Sequence, residues 1–277
     1  MATITDLWRY PVKSMMGERH DTLDLTDAGV LGDRGWAARD EVRGGIRGAK
    51  KIASLMRLAA RYVEAPTVER PVPHAVITLP DGSTVATDAP DRDARLSAAL
   101  DHPVTLFPLL PPDALDHYRR GAADTDDFLE ELRNVFGREG DEPLPDLSKM
   151  PPVIFEYESP PGTYFDAFPL LLMTQQSLAT IDADVRRFRP NFVLDAPTGA
   201  PFPETDWVGA TLRIGEVEVR VETECPRCVM VTRGFGDLAE DRSVLRRVVR
   251  DADQNLGVYA TVVRPGVVRV GDAVEVV

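Results

Sequence analysis

Cysteine is scarce: the 277-residue chain has two, Cys225 and Cys228, so no disulfide framework holds it together. Histidine is nearly as rare, and His20, His74, His102 and His117 stand apart, none paired at zinc-ligand spacing. Positive charge is also short. Against 45 Asp plus Glu there are 32 Lys plus Arg, a formal net charge of −13. That balance repels phosphate backbones and anionic bilayers, and no basic patch is visible along the chain, so nucleic acid and membrane surfaces are excluded as partners. Long hydrophobic runs are missing too. No stretch approaches the roughly eighteen apolar residues of a membrane span, and MATITDLWRYPVKSMMGERH lacks the apolar core of a signal peptide. A cytoplasmic location is expected. What is present is a globular composition, 43% hydrophobic, long enough for one large domain or two ordinary ones.

Strand signals dominate, because β-branched residues gather in short runs closed by Gly, Pro or Asp. Ile4 to Tyr10 reads as the first strand. HAVITL-PDGS-TVAT, Thr211–Ile214 with Val217–Val221, and GVYATVVR-PG-VVRVGDAVEVV read as hairpins. Such spacing predicts antiparallel sheets closing into barrels, with no alternating βαβ pattern. Helices are predicted over Asp91–Leu100, Asp126–Phe136, Ser177–Phe188 and Arg242–Val249; the second carries an apolar stripe of Phe128, Leu129, Leu132, Val135 and Phe136. Prolines crowd the stretch between Pro108 and Pro161. The expected architecture is therefore mainly β (α+β): two β-barrel-like domains, 1–110 and 111–277, with a Pro-rich helical insertion at about 111–152 and a cofactor cleft between the domains.

The chemistry-bearing residues sit at turns. Cys225-Pro226-Arg227-Cys228 follows one strand and precedes another segment. It admits a zinc knuckle, a dithiol switch, two small buried residues, or a single reactive thiolate whose ionisation Arg227 would favour. Tyr10-Pro11-Val12-Lys13-Ser14 and Gly32-Asp33-Arg34-Gly35-Trp36 hold cations at fixed breaks, where an Arg fork can meet phosphate or carboxylate. Leu171 to Ser177 is a buried strand running into a polar turn and helix start, placing Thr174 and Ser177 where an anion could be met. Phe188-Arg189-Pro190-Asn191-Phe192 sets Arg and Asn about a proline, and the Asn191 amide can both donate and accept at a heteroaromatic edge.

Taken in order, YPVKS, GDRGW, LLMTQQSL, RPNFV, CPRC and VRVGDAVEVV resemble the MOSC family, preceded by that family's N-terminal β-barrel domain. Within it the chain looks like the amidoxime-reducing components of mitochondria and their bacterial counterparts. The resemblance implies a molybdenum cofactor (Mo-molybdopterin) and an oxidoreductase that removes oxygen from N-hydroxylated compounds. It implies Cys228 as the metal ligand and catalytic residue, and Lys13, Ser14, Arg34, Lys50, Thr174, Ser177, Arg189 and Asn191 as further cofactor-binding positions. Lys50 lies in IRGAKKIASLMRL, which follows the family only loosely. Any proton donor would be a metal-bound water or an acid such as Asp33. With no cysteine after Cys228 for an iron–sulfur cluster, a separate electron-donor protein of reductase or ferredoxin type is expected. The alternative is a molybdenum cofactor or persulfide carrier without turnover.

Overall fold

A computed structural model describes residues 1–197 and 199–277. Its largest element is a closed barrel, ordered Phe192–Asp195, Leu170–Thr174, Asn255–Arg264, Val217–Pro226, Thr211–Ile214, Ala273–Val276 and Ala2–Arg9, which pairs back with Phe192–Asp195. Closure leaves these strands without a free edge. Period-2 patterning explains the interior. In Val217–Pro226 the residues Val217, Val219 and Val221 point into the barrel, and after a register shift between Val221 and Thr223 the strand buries Cys225 in a separate cluster with Leu171 and Met173. Ile4, Leu7, Leu172, Phe192, Leu212 and Val258 help fill the barrel.

The mainly β expectation holds. Beside the barrel, a second core of Trp36, Leu55, Met56, Leu58, Ile77 and Leu106 is wrapped by the pair Trp36–Asp40 and Val104–Pro108 and by the sheet Ala59–Tyr62, Ala75–Thr78 and Thr84–Ala86. The two units share chain: the first strand closes the barrel of the C-terminal half, and Gly266–Arg269 pairs with Thr22–Thr26.

Three local expectations are corrected. Leu170–Thr174, helix Gln175–Ile181 and strand Phe192–Asp195 form one βαβ crossover, the two strands being parallel; a seven-residue helix is too short to show its period in sequence. The helix expected through Phe188 stops at Ile181, with Asp182 in the left-handed conformation as its C-cap. Asn255–Arg264 and Gly266–Arg269 do not form a hairpin, since the first pairs with Val217–Pro226 and Leu170–Thr174 and the second with Thr22–Thr26. Pro265 there marks a switch between sheets. Phe128–Phe136 is helical, capped by the Asp127 carboxylate, and of its apolar stripe only Phe136 is buried while Phe128 is 67% exposed.

Candidate functional site

Burial separates the two cysteines. Cys225, near the end of its strand, is 2% exposed and packed in a cluster with Val244, Leu245 and Val248. Pro226 ends the strand, and Cys228 falls beyond it at the cap of the turn Val229–Thr232, only partly buried. Burial pushes the Cys228 thiol up, against the pull of the Met230 backbone N–H and of Lys50. Arg227 pulls the thiol in the expected direction, but burial outweighs it and the net shift is upward. That guanidinium is spent on the carbonyls of Leu256 and Phe188 and lies over the Phe188 ring. In metal-free protein, iodoacetamide should therefore label Cys228 alone, with a rate still rising above pH ~8.5; Cys225 should react only after unfolding. Equal labelling of both thiols in the folded chain would contradict this placement.

Around the Cys228 sulfur three chain segments converge. Lys13 is buried, and its Nζ donates to Asp166 Oδ1 at 2.7 Å, to the Tyr164 carbonyl at 2.7 Å and to Ser159 Oγ at 3.3 Å. Lys50 Nζ stands 4.0 Å from the same Asp166 oxygen. Although Asp166 is set among these cations, 52% of its side chain remains open to water, as expected for the floor of a cleft. Burial pushes its carboxyl up, but Lys13 and Lys50 outweigh that and hold it far below the usual carboxylate range. Its contribution to stability is present above pH ~4 and is lost as pH falls through the depressed value. Burial in turn lowers the Lys13 ammonium, against the pull of Asp166. Asp166 and Ser159 escaped the sequence reading; a lone acid ahead of the apolar run Leu170–Met173 was the only available signal for Asp166.

A second layer lies under the cations. Asn191 is buried and holds its neighbours together: Nδ2 donates to Asp33 Oδ2 at 3.1 Å and to the Trp8 carbonyl at 3.3 Å, and Oδ1 accepts from the Leu171 N–H at 3.2 Å. Asp33 also accepts from the Tyr10 N–H at 2.7 Å and is ion-paired with Arg34. Its carboxylate is engaged by the Tyr10 N–H, the Asn191 amide and Arg34, so Asp33 is not placed to donate a proton; Asp166 is an ionised carboxylate within electrostatic reach of the sulfur. Arg34 lies 5.5 Å from the Tyr10 ring centroid and Arg189 lies 4.0 Å from it. Burial pulls Arg189 down to about 10. It donates Nη1 to the Met15 carbonyl, while Nη2 is buried with no partner among the described residues.

Strain gathers here as well. Ser14, Arg34 and Arg189 all have positive φ, at 67°, 51° and 57°, a conformation costing of order 1–2 kcal/mol for a non-glycine residue. Ser14 Oγ accepts from the Ala49 N–H at 2.9 Å and so braces the turn that carries Lys50. Thr174 and Ser177 are turned to a different partner. Their hydroxyls donate to Glu204 Oε2 at 2.6 Å and 2.5 Å, and Oε1 of that fully buried carboxylate has no partner among the described residues. Glu204 was also missed, since nothing in Pro203-Glu204-Thr205 distinguishes it from a surface acid.

Residues 162–275 match the MOSC domain and residues 1–102 the MOSC N-terminal beta barrel domain. The chain belongs to the MOSC family. It is similar to mitochondrial amidoxime reducing component 2 of Bos taurus, 27% identical over 308 residues that cover 99% of this chain and 83% of the relative. It also matches the molybdenum cofactor sulfurase of Drosophila grimshawi, 36% identical over 81 residues, 28% of this chain and 10% of that protein. Among solved structures, the YUAD protein of Bacillus subtilis aligns over 99% of this chain and 94% of its own with 11% identity and a TM-score of 0.42. In this MOSC protein Lys13, Ser14, Arg34 and Lys50 come from the N-terminal match, and Asp166, Arg189, Asn191 and Cys228 from the C-terminal one. Ser159 and the helix Phe128–Phe136 lie between the two. Among the described residues no helix is long and apolar enough to cross a membrane.

Proposed function

We propose that this MOSC protein holds a molybdenum cofactor in the cleft, with Cys228 as the protein's metal ligand, and reduces N-oxygenated compounds using electrons from a separate redox protein. The observation that carries the reading is the Cys228 sulfur, left partly open just past its strand and within electrostatic reach of Lys50 and Asp166. The residues fit such a group. Arg189 keeps a buried donor without an acceptor, as expected where an anionic ligand belongs. Lys13, Lys50 and Arg34 concentrate positive charge at one place in an acidic chain, suited to a cofactor bearing phosphate and dithiolene. When bound, the cofactor supplies the two-electron oxygen-atom chemistry.

The chain's own residues prepare that chemistry. Cys228, protonated at neutral pH in the free protein, releases its proton on coordination, which makes loading stronger as pH rises. Asp166, ionised throughout the neutral range, accepts a hydrogen bond from Lys13 and stands 4.0 Å from Lys50, so it steers both ammonium groups toward the cleft. Asn191 and Asp33 fix Arg34, and Ser14 fixes the Lys50 turn. Thr174 and Ser177 complete the proposed set at the helix start, where a bound phosphate would compete with Glu204 for their hydroxyls.

Benzamidoxime reduction with an artificial electron donor tests the reading, using protein made in a host that synthesises molybdopterin. Turnover is expected; bound cofactor with no reduction under any donor would instead mark a carrier. Asp166→Asn should keep the fold and lower activity about 10- to 100-fold, the usual cost of losing a group that orients a metal site. Unchanged activity would remove Asp166 from the site.

A further inference from the structure

Adjoining Cys228 is a cavity of about 420 Å³ whose wall includes Val229 and Lys50. Seven Lys and Arg side chains line it against three carboxylates, in a protein whose net charge is −13. The sequence showed no such patch because the cations are scattered along it: Lys50 from the N-terminal half, Arg133 and Arg138 from the connecting region, Arg233 and Arg246 from beyond the cysteines. Folding assembles them.

Several of these cations lack the partners that burial demands. Arg233 makes no side-chain hydrogen bond or ion pair among the described residues, and its Nε is buried without an acceptor. Arg246 pairs with Glu142 and the Gly137 carbonyl, yet its Nε too is buried without an acceptor among the described residues. Arg138 is 6% exposed and donates only to neutral oxygens, the carbonyls of Phe136, Pro143 and Arg227 and the Gln254 amide. Burial pulls it down to about 10. Arg133 donates to the Gly140 carbonyl and has no carboxylate in contact among the described residues. Buried donors without acceptors and crowded like charges are both costly. One ligand class relieves both, an oxyanion with several charges, matched by the planar donor forks of arginine. The volume suits a small molecule.

We propose that this cavity binds a small, multiply charged oxyanion, the phosphate or carboxylate end of a metabolite, and presents the rest of that molecule to Cys228. Binding of the anion stands on the cavity alone; its presentation to Cys228 rests on the function proposed above. The reaction's preferred substrates are then N-oxygenated compounds that carry such an anionic end.

Isothermal titration calorimetry of the full chain with pyrophosphate and with citrate tests the site, on cofactor-loaded protein and on protein from a host lacking molybdopterin. At least one probe should bind in both preparations, more weakly as salt rises. The double variant Arg133→Gln, Arg233→Gln, confirmed as folded by circular dichroism, should weaken that binding by about 10-fold or more, and Cys228→Ala should leave it unchanged. Preference for pyrophosphate identifies a phosphate ligand, and preference for citrate a carboxylate. Silence with both probes would overturn the inference, and so would binding that survives the double variant but vanishes in Arg34→Gln. Anion binding in a chain that takes up no molybdenum would sustain this site while removing the proposed function.

Discussion

Cys228→Ala is expected to lose the proposed molybdenum and the proposed reduction of N-oxygenated compounds, while Cys225→Ala should keep most of both. Groups that merely orient a metal ligand cost roughly 10- to 100-fold when removed, so deletion of the coordinating sulfur is expected to exceed about a hundredfold. The asymmetry follows from the strand. Cys225 is buried near the end of its strand and contributes packing among Val244, Leu245 and Val248. Losing one small sulfur from such a core costs on the order of 1 kcal/mol of stability and no donor atom. Cys228, past Pro226, faces Lys50 and Asp166 and has no comparable packing role. Metal content by mass spectrometry and benzamidoxime turnover, measured on both variants, read the contrast directly. Equal losses would revive a paired-thiol site.

Asn191→Leu is expected to destabilise the protein by about 3 kcal/mol, read from urea unfolding, and to impair cofactor loading. Leucine fills nearly the same volume but strands the Leu171 N–H and the Trp8 carbonyl and removes a donor from Asp33. Each buried polar group left unpaired costs roughly 1–3 kcal/mol. The loading defect follows from Asp33, which holds both Arg34 and the Tyr10 N–H. Asn191→Asp keeps the acceptor and the shape but brings a second carboxylate against Asp33, so it should load poorly as well. A leucine variant as stable as the parent would show that Asn191 does not knit these strands together.

Much of this was visible in the chain before any fold. Period-2 runs forecast the barrel strands, and turn residues beside Lys13, Arg34 and Arg189 marked the site, since fixed turns hold cations in place; the left-handed backbone at Ser14, Arg34 and Arg189 is the structural form of that signal. The family resemblance singled out Cys228 over Cys225, and of the two it is Cys225 that is buried and Cys228 that is partly exposed. Other features leave no local trace. Closure of the barrel by Ala2–Arg9 against Phe192–Asp195 joins segments nearly 190 residues apart. Asp166 and Glu204 are single acids whose meaning comes only from the cations and hydroxyls that folding brings to them. The basic cavity likewise exists only once Lys50, Arg133 and Arg233 are folded together. Burial reversed the expected thiol shift because local charge along the chain says nothing about desolvation.

Molybdenum quantified by inductively coupled plasma mass spectrometry, on wild-type protein purified from a molybdopterin-producing host, bears most directly on the central claim. About one metal atom per chain is expected, removed with the Cys228 side chain. Wild-type protein free of molybdenum, or a Cys228→Ala variant that retains it in full, would contradict the account.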